Sequence, residues 1–449
     1  MELLTKIQSN AQNIFWVAYG FLLFGYGPSQ GYWNGMLLPF LVVSAALLLV
    51  YVGVSKDSKK NLLPVSIREP VILVMFSIGI GLLSAGHLTY APKTITPMVE
   101  WFYVMVIPLV GLYLLDGEVF KPKFALILLC VLYLRVIYIT SGIPPIDVFD
   151  FVNSGVHGLL AGKNPYAMFY TISYNGTPAD YYGYFPSTLL LTIPGAYLFS
   201  DLRVTYLVVD FVTMGIIYWV VAKRLNLKKY AEVLVLLFAL NPVTFYMTEF
   251  AWIEPLMVFS VAMVLFFYIT NKSNLWALFV GIFLTIKQYN ILFLLPFIRL
   301  KKWTVKTLLV TGLFVEVLLS YFILLSPKDF LHDTVQFHLS QPPRWDAQTI
   351  TTFLHVNFKL DSIPLPIIGG ILLMVCGYAF FVQNGRLSQA ILGGATILFI
   401  AFLINQQAFV NYYYFINSAL ILFIVAYLYE QKDNRQISKD KTPELLSIQ

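Results

Sequence analysis

Charge is what this sequence has least of. Only 12% of its 449 residues are Asp, Glu, Lys or Arg, against about 25% in a soluble domain, while 59% are hydrophobic. That balance excludes a soluble globular protein and predicts an all-α polytopic membrane protein. Cysteine is almost missing too: Cys130 and Cys376 both fall inside apolar runs, so no disulfide framework is implied. Of five histidines, His332 and His338 stand six apart with no third ligand at metal spacing, so neither a metal nor another cofactor is expected. There is no Walker A run, no nucleophile elbow and no HExxH. Heptads, low-complexity tracts and a soluble domain are missing as well. Lys6 precedes the first apolar run without a small-residue cleavage site, so that run reads as a retained span. The net charge of +6 does not point to nucleic acid, because the cations sit in short loops beside apolar runs.

What is there is a series of spans. Apolar runs near 13–33, 36–54, 70–91, 97–115 and 122–140 are each long enough for a ~30 Å hydrocarbon core. The intervals 55–69 (Lys56, Lys59, Lys60, Arg68) and 116–123 (Lys121, Lys123) are basic, and the alternate intervals nearly charge-free apart from Lys93. The positive-inside rule then puts both termini in the cytoplasm and the loop after 140 outside. Counting 184–200 as a span would push Lys223, Arg224, Lys228 and Lys229 outside. Pro186, Pro194 and Gly195 interrupt that run, so it is expected to be an interfacial or re-entrant helix. Likewise 275–298 has Lys272 before it and Arg299, Lys301 and Lys302 after it. Two half-helices meeting near Lys287 keep all four inside; a single span with one basic end outside is the plainer alternative. The tail cations Lys432, Arg435, Lys439 and Lys441 then fall inside.

The stretch from Ile143 to Arg203 is the longest interval between spans in the first half and is dense in Tyr, Gly and Asn. A loop so long is usually functional, and its aromatic content argues against disorder. Asp147 and Asp150 share a face if helical, which makes one of them a candidate general base; a helix cap plus a first-turn acid is the alternative. Lys287, inside an apolar run, is either a phosphate ligand or a snorkelling lysine. Glu249 and Glu254 flank a short break between spans; Glu254 suits an acceptor contact or a cation partner. In PPRWD, Arg344 offers a planar fork to phosphate, Trp345 a face to a sugar, and Asp346 an acid that pairs with Arg344. Tyr181–Tyr184 and Tyr412–Tyr414 fit an interfacial belt or sugar stacking, and Asn175-Gly-Thr177 is a formal glycosylation triplet.

An acid just past an outward span, then GLLAGKNPY, YGYFPSTLLL and DLR, followed by LNP, IKQYNILFLLPF, PPRWD and NYYYF, resembles the GT-C superfamily of membrane glycosyltransferases. It is most like the polyprenyl-phosphate-mannose-dependent mannosyltransferases, over roughly residues 122–429. The resemblance implies a bundle of about 12–14 transmembrane helices with interfacial helices in the first catalytic loop. It implies a catalytic core over 122–429 with outer loops 141–202 and 326–365. Residues 1–121 then read as a four-helix segment added to the core, and 430–449 as a cytoplasmic tail. Asp147 stands at the family's distance before Gly162-Lys163-Asn164-Pro165-Tyr166 and becomes the base, with Asp150 in reserve. Lys287, Arg344 and Lys163 become donor-phosphate ligands; Glu254, Glu249, Tyr166, Tyr184, Trp345 and Asp346 become acceptor or sugar contacts. A WWDYG-type motif is missing, which disfavours transfer of a whole glycan to protein.

The expected activity is transfer of one sugar, mannose first, from a polyprenyl-phosphate donor to a glycan or glycolipid acceptor on the outer face, with inversion. The alternative is a secondary transporter or a flippase for lipid-linked sugars. It would show broken helices at matching positions of two halves, and only one broken region is legible.

Overall fold

The computed structural model describes residues 11–55, 66–84, 94–115, 123–173 and 175–446. Lys6, Lys56, Lys59, Lys60, Lys93 and Lys121, used above for orientation, lie outside that set, and the side chains of Arg435, Lys439 and Lys441 are not described. The chain is 76% helical with almost no strand, an all-α polytopic membrane protein. In order come α1 (Ala11–Tyr26), α2 (Leu38–Val54), α3 (Arg68–Ser84), α4 (Thr96–Leu115), α5 (Lys123–Thr140) and α6 (Asp147–Leu160). A small hairpin, β1 (Tyr170–Thr171) with β2 (Pro178–Ala179), precedes α7 (Ser187–Phe199) and α8 (Arg203–Tyr218). Then follow α9 (Lys228–Ala239), α10 (Thr244–Glu249), α11 (Glu254–Ile269), α12 (Ser273–Leu284), α13 (Asn290–Leu294) and α14 (Val305–Leu325). The last six are α15 (Pro327–Leu331), α16 (Phe337–Ser340), α17 (Ile350–Phe358), α18 (Leu365–Val382), α19 (Leu387–Ile404) and α20 (Val410–Leu446).

Among the described residues seven helices are long and apolar enough to cross a membrane: α4, α5, α8 with its continuation to Arg224, α14, α18, α19 and α20 to Lys432. Five further apolar segments are shorter, among them α2, α7, α11 and α12. α19 and α20 form the centre of the bundle, while α14 and α18 turn most of their apolar side chains outward. The first helix belongs to this centre: Phe15, Tyr19 and Leu22 are fully buried, and Phe15 packs on Phe423 of α20 at 5.2 Å. The first helix thus shares its core with α20.

The segment between Lys272 and Lys302 does not cross the bundle. α12 has 12 residues, about 18 Å of rise, well short of a ~30 Å core. The helix ends at Leu284, the chain turns through 285–289, and α13 with a 3-10 turn to Arg299 runs back. The two ends then touch: Lys302 Nζ donates to Asn271 Oδ1 at 2.8 Å, and Trp276 meets Trp303 at 4.7 Å. A glycine lets the return leg seat closely. A Cβ on Gly394 of α19 would come within 2.2 Å of the Phe293 carbonyl, so any larger residue would lift α13 off its support.

Contacts sort the connections into two groups. Lys432 Nζ reaches the Arg224 carbonyl at 2.7 Å, Ser388 bonds Glu430, and Arg299 donates to Phe380 O at 2.9 Å. Lys229 donates to Tyr113 O at 2.9 Å, and Lys123 to Leu112 O at 3.3 Å. This is the basic end. At the other end Tyr32 pairs with Ala347, Trp33 N donates to Asp346 O at 2.8 Å, and Gln348 N to Ala408 O at 3.1 Å. This is the loop end, and the acids of interest lie there.

Candidate functional site

The loop-end site is built on interruptions of helix. At the turn 285–289 the carbonyls of Thr285 and Ile286 have no helical partner, and the strap Tyr182-Gly-Tyr-Phe-Pro-Ser187 supplies one. Phe185 N donates to Ile286 O at 3.1 Å and Ser187 N to Thr285 O at 2.9 Å. The Thr188 hydroxyl adds a bond to Ile286 O at 3.1 Å. On its other side the strap is held by the second loop. Tyr182 N donates to Asp333 Oδ2 at 2.7 Å, while Gln288 Nε2 and His338 Nε2 both meet Gly183 O, at 3.0 and 2.8 Å. The YGYFP motif is therefore the joint between two broken segments and two loops. α7 follows it with 13 residues, about 20 Å of rise, too few to span.

This joint positions Lys287. Its ammonium lies 2.6 Å from Glu254 Oε1, with side chains 8% and 0% exposed. Asn411 Nδ2 donates to the same oxygen at 2.9 Å, and the Tyr289 hydroxyl lies 3.5 Å away. The rings of Tyr412, Tyr289 and Tyr184 stand 5.0, 5.2 and 5.6 Å from Nζ, giving the cation three π faces besides its carboxylate. Glu254 Oε2 is buried without a hydrogen bond. Lys287 is thus no snorkelling lysine, since its charge points inward. A phosphate arriving here would share that charge with Glu254.

Asp147 opens α6, and its Oδ1 accepts from Val148 N at 2.8 Å. Burial raises its carboxyl above the ordinary range; the Val148 N–H and the Arg344 guanidinium pull it back, and Asp150 pushes it up slightly. Tyr184 feels both Asp147 and Glu254, which links the base candidate to the buried pair. Asp150, one turn on, accepts from Ser173 N at 2.7 Å and so ties α6 to the hairpin loop. Asp147 is a first-turn acid, half-buried and within the field of a cation.

What places Asp147 is Arg203, from the DLR motif. Its guanidinium donates to Tyr138 O, Ile139 O and Gly142 O at 3.2, 2.9 and 2.7 Å, the carbonyls that α5 leaves open at its end. Asp201 holds the other side of the fork at 2.6 Å, and the Phe149 ring lies 5.6 Å from Cζ. One residue thus fixes the end of α5 against the start of α6. Arg203→Ala removes the guanidinium from the Ile139 and Gly142 carbonyls and from the Asp201 carboxylate, while Tyr138 O keeps the Ser141 hydroxyl and Asp201 keeps the backbone N–H of residue 203; a buried group left unmet costs about 1–3 kcal/mol. We expect a clear drop in unfolding temperature in detergent, with Arg203→Lys recovering only part of it. Equal drops in the two variants would show that charge alone is not what serves here.

Arg344 is half exposed and grips Asp346 with two bonds, Nε to Oδ1 at 2.9 Å and Nη2 to Oδ2 at 2.7 Å. That bond raises the guanidinium and holds the Asp346 carboxyl below its usual range. The pairing of the two is the plainer of the readings given above. Trp345 stacks on His355 at 3.6 Å and 9°, so one of its faces is already covered. Lys163 is exposed beyond the far end of α6, a helix of 14 residues or about 20 Å from Asp147, and is not brought to Lys287 and Arg344. Tyr166 is buried, and its hydroxyl donates to Tyr184 O at 2.8 Å, so it holds the strap. Glu249 is buried on α10 and acts on Tyr32 from the N-terminal loop.

Several residues here were not singled out from the sequence. Asn411 and Tyr289 complete the Glu254 site from distant segments, and one sequence carries no signal joining them. Arg135 and Asp210, a buried pair at 2.5 Å between α5 and α8, did carry one: each is a lone charge inside an apolar run. Asp333 was not singled out, and His338 only for metal spacing.

A family model described as glycosyltransferase family 87 matches residues 182–411, just over half of the chain. The match starts at the strap, takes in Glu254, Lys287 and Arg344, and ends on Asn411; Asp147 and Asp150 precede it. No curated protein and no solved structure matches the chain.

Proposed function

The chain belongs to glycosyltransferase family 87, and from that premise we propose that it is a GT-C-type enzyme transferring one sugar, mannose first, from a polyprenyl-phosphate carrier. The acceptor is a hydroxyl of a glycan or glycolipid at the loop end of the bundle. The acceptor oxygen attacks the anomeric carbon, its proton passes to Asp147, and the bond from that carbon to the phosphate oxygen breaks. One displacement inverts the centre, and polyprenyl phosphate leaves. Lys287 and Arg344 meet the charge growing on the leaving oxygen, where a preorganised cation contributes most. Glu254 holds Lys287 in place, with the Tyr184 ring against the ammonium. The reaction needs no metal or other cofactor, and no nucleotide.

The observation that carries the reading is a half-buried carboxylate, Asp147, within the field of Arg344, at the same end of a bundle that holds a buried Lys–Glu pair, in a member of a glycosyltransferase family. For orientation, the gathering of cations at the basic end supports a cytoplasmic position for that end, with the loop end outside. The test is transfer of labelled mannose from polyprenyl-phosphate-mannose by the purified protein in liposomes. Transfer with inversion is the expected result. A panel of polyprenyl-phosphate sugars that all fail, beside a working nucleotide-sugar donor, would overturn the donor assignment.

A further inference from the structure

A second cavity lies at the loop end, outside the Asp147 site. It has a volume of about 600 Å³ and is bounded by Phe169, Asp180, Lys328, Leu331, His332 and Gln336. That is within the ~300–1,000 Å³ of ordinary small-molecule sites. Phe169 is 82% exposed, a bare aromatic face in a loop whose other rings are mostly packed. His332 is aimed rather than loose. Its Nδ1 lies 2.9 Å from Oδ1 of Asp333, a fully buried carboxyl whose other oxygen takes the Tyr182 N–H. With Nδ1 donating to that carboxylate, Nε2 is the acceptor left for a ligand.

The chemistry of the lining chooses among ligands. One lysine faces two carboxylates, Asp180 and Asp329, so there is no excess positive charge to hold a phosphate. A flat apolar ring rimmed by carboxylate, ammonium, imidazole and amide matches a pyranose, which has a C–H face and a rim of hydroxyls. Position matters as much. Tyr166 backs the cavity and donates to Tyr184 O, and the Tyr184 ring is 5.6 Å from Lys287 Nζ. Tyr166 and Tyr184 therefore link the cavity to the buried pair. Lys328 sits three residues after the last residue of the span α14, at the level where a glycolipid's head would leave the bilayer.

We infer that this cavity is a second sugar subsite, which takes a hexose unit of an oligomeric acceptor while the acceptor's reactive hydroxyl reaches Asp147. The inference rests on the glycosyltransferase reading. It makes the acceptor an oligosaccharide long enough to run from this cavity to Asp147, and it makes Phe169 and His332 residues that select acceptor length.

Saturation-transfer NMR on the full chain in nanodiscs tests it, with α-mannobiose, mannotriose, maltotriose and free mannose as probes. We expect an oligosaccharide to bind and free mannose to bind at least tenfold more weakly. Phe169→Ala and His332→Ala should each weaken the oligosaccharide tenfold or more, and Asp147→Asn, which stops transfer, should leave binding intact. In turnover, Phe169→Ala should raise the acceptor KM with kcat little changed. The subsite is overturned if no oligosaccharide of the panel binds the wild type, or if binding is indifferent to both cavity variants. It is equally overturned if phosphocholine or inorganic phosphate binds there in place of sugar. Oligosaccharide binding that depends on Phe169 in a protein unable to use polyprenyl-phosphate-mannose would keep the subsite and remove only the donor.

Discussion

Asp147→Asn should stop sugar transfer in a protein that still folds and inserts. A positioned general base contributes about 10²–10⁴-fold, so the residual rate should lie at that level or below. The amide keeps the shape of the carboxyl and its contact with Val148 N, so the loss reports the missing base. The pH profile gives a second reading of the same group. Burial raises the Asp147 carboxyl, the base must be ionised, and the rate therefore rises with pH through a midpoint above the ~3.9 of a free aspartate. Arg344 pulls that midpoint down, so Arg344→Gln should move the acidic limb to still higher pH, whatever it does to donor affinity. A limb that moved to lower pH, or full transfer by Asp147→Asn, would sink the assignment. Asp150→Asn is the control: its carboxylate is engaged by Ser173 N, and its loss should loosen the hairpin loop while retaining most of the rate.

The signal for Asp147 as a candidate is local in the chain. The acid sits just past a span, and the distance to GKNPY is a local property. Charge bookkeeping did more. Keeping Lys272 and Lys302 together required a broken pair, and the structure closes that pair with the Lys302–Asn271 contact. The same bookkeeping required 184–200 not to span, and α7 is too short to do so. What sequence could not give is the partnership across these breaks. Asn411 and Lys287 meet one oxygen of Glu254 from segments 157 and 33 residues away, and a single chain has no periodicity that links them. Trp345 read as open because its cover, His355, arrives from the next helix. The N-terminal helices read as an addition for a similar reason. Their link to the site is made by Tyr32, Trp33 and Asn34 pairing with 346–348, more than 300 residues on.

Asn411 and Lys287 both meet Glu254, and at this pair stability and transfer should part company. The two side chains are almost fully excluded from water, so neither charge can be left alone cheaply. Removing one partner of such a pair costs about 3–5 kcal/mol, most of it the stranding of the other charge. Glu254→Gln leaves an ammonium with three ring faces and no carboxylate, and Lys287→Met leaves a carboxylate with Asn411 and Tyr289. Each single variant should lower the unfolding temperature sharply. The double variant, Glu254→Gln with Lys287→Met, removes both charges at nearly constant volume and should regain most of that loss, as matched replacement of buried pairs often does. Transfer should not return with it, because the proposed phosphate contact is gone. Stability losses that simply add would show that the pair is not coupled. A double variant that recovered full transfer would make the pair scaffolding for the turn at 285–289 and leave Arg344 as the phosphate's cation.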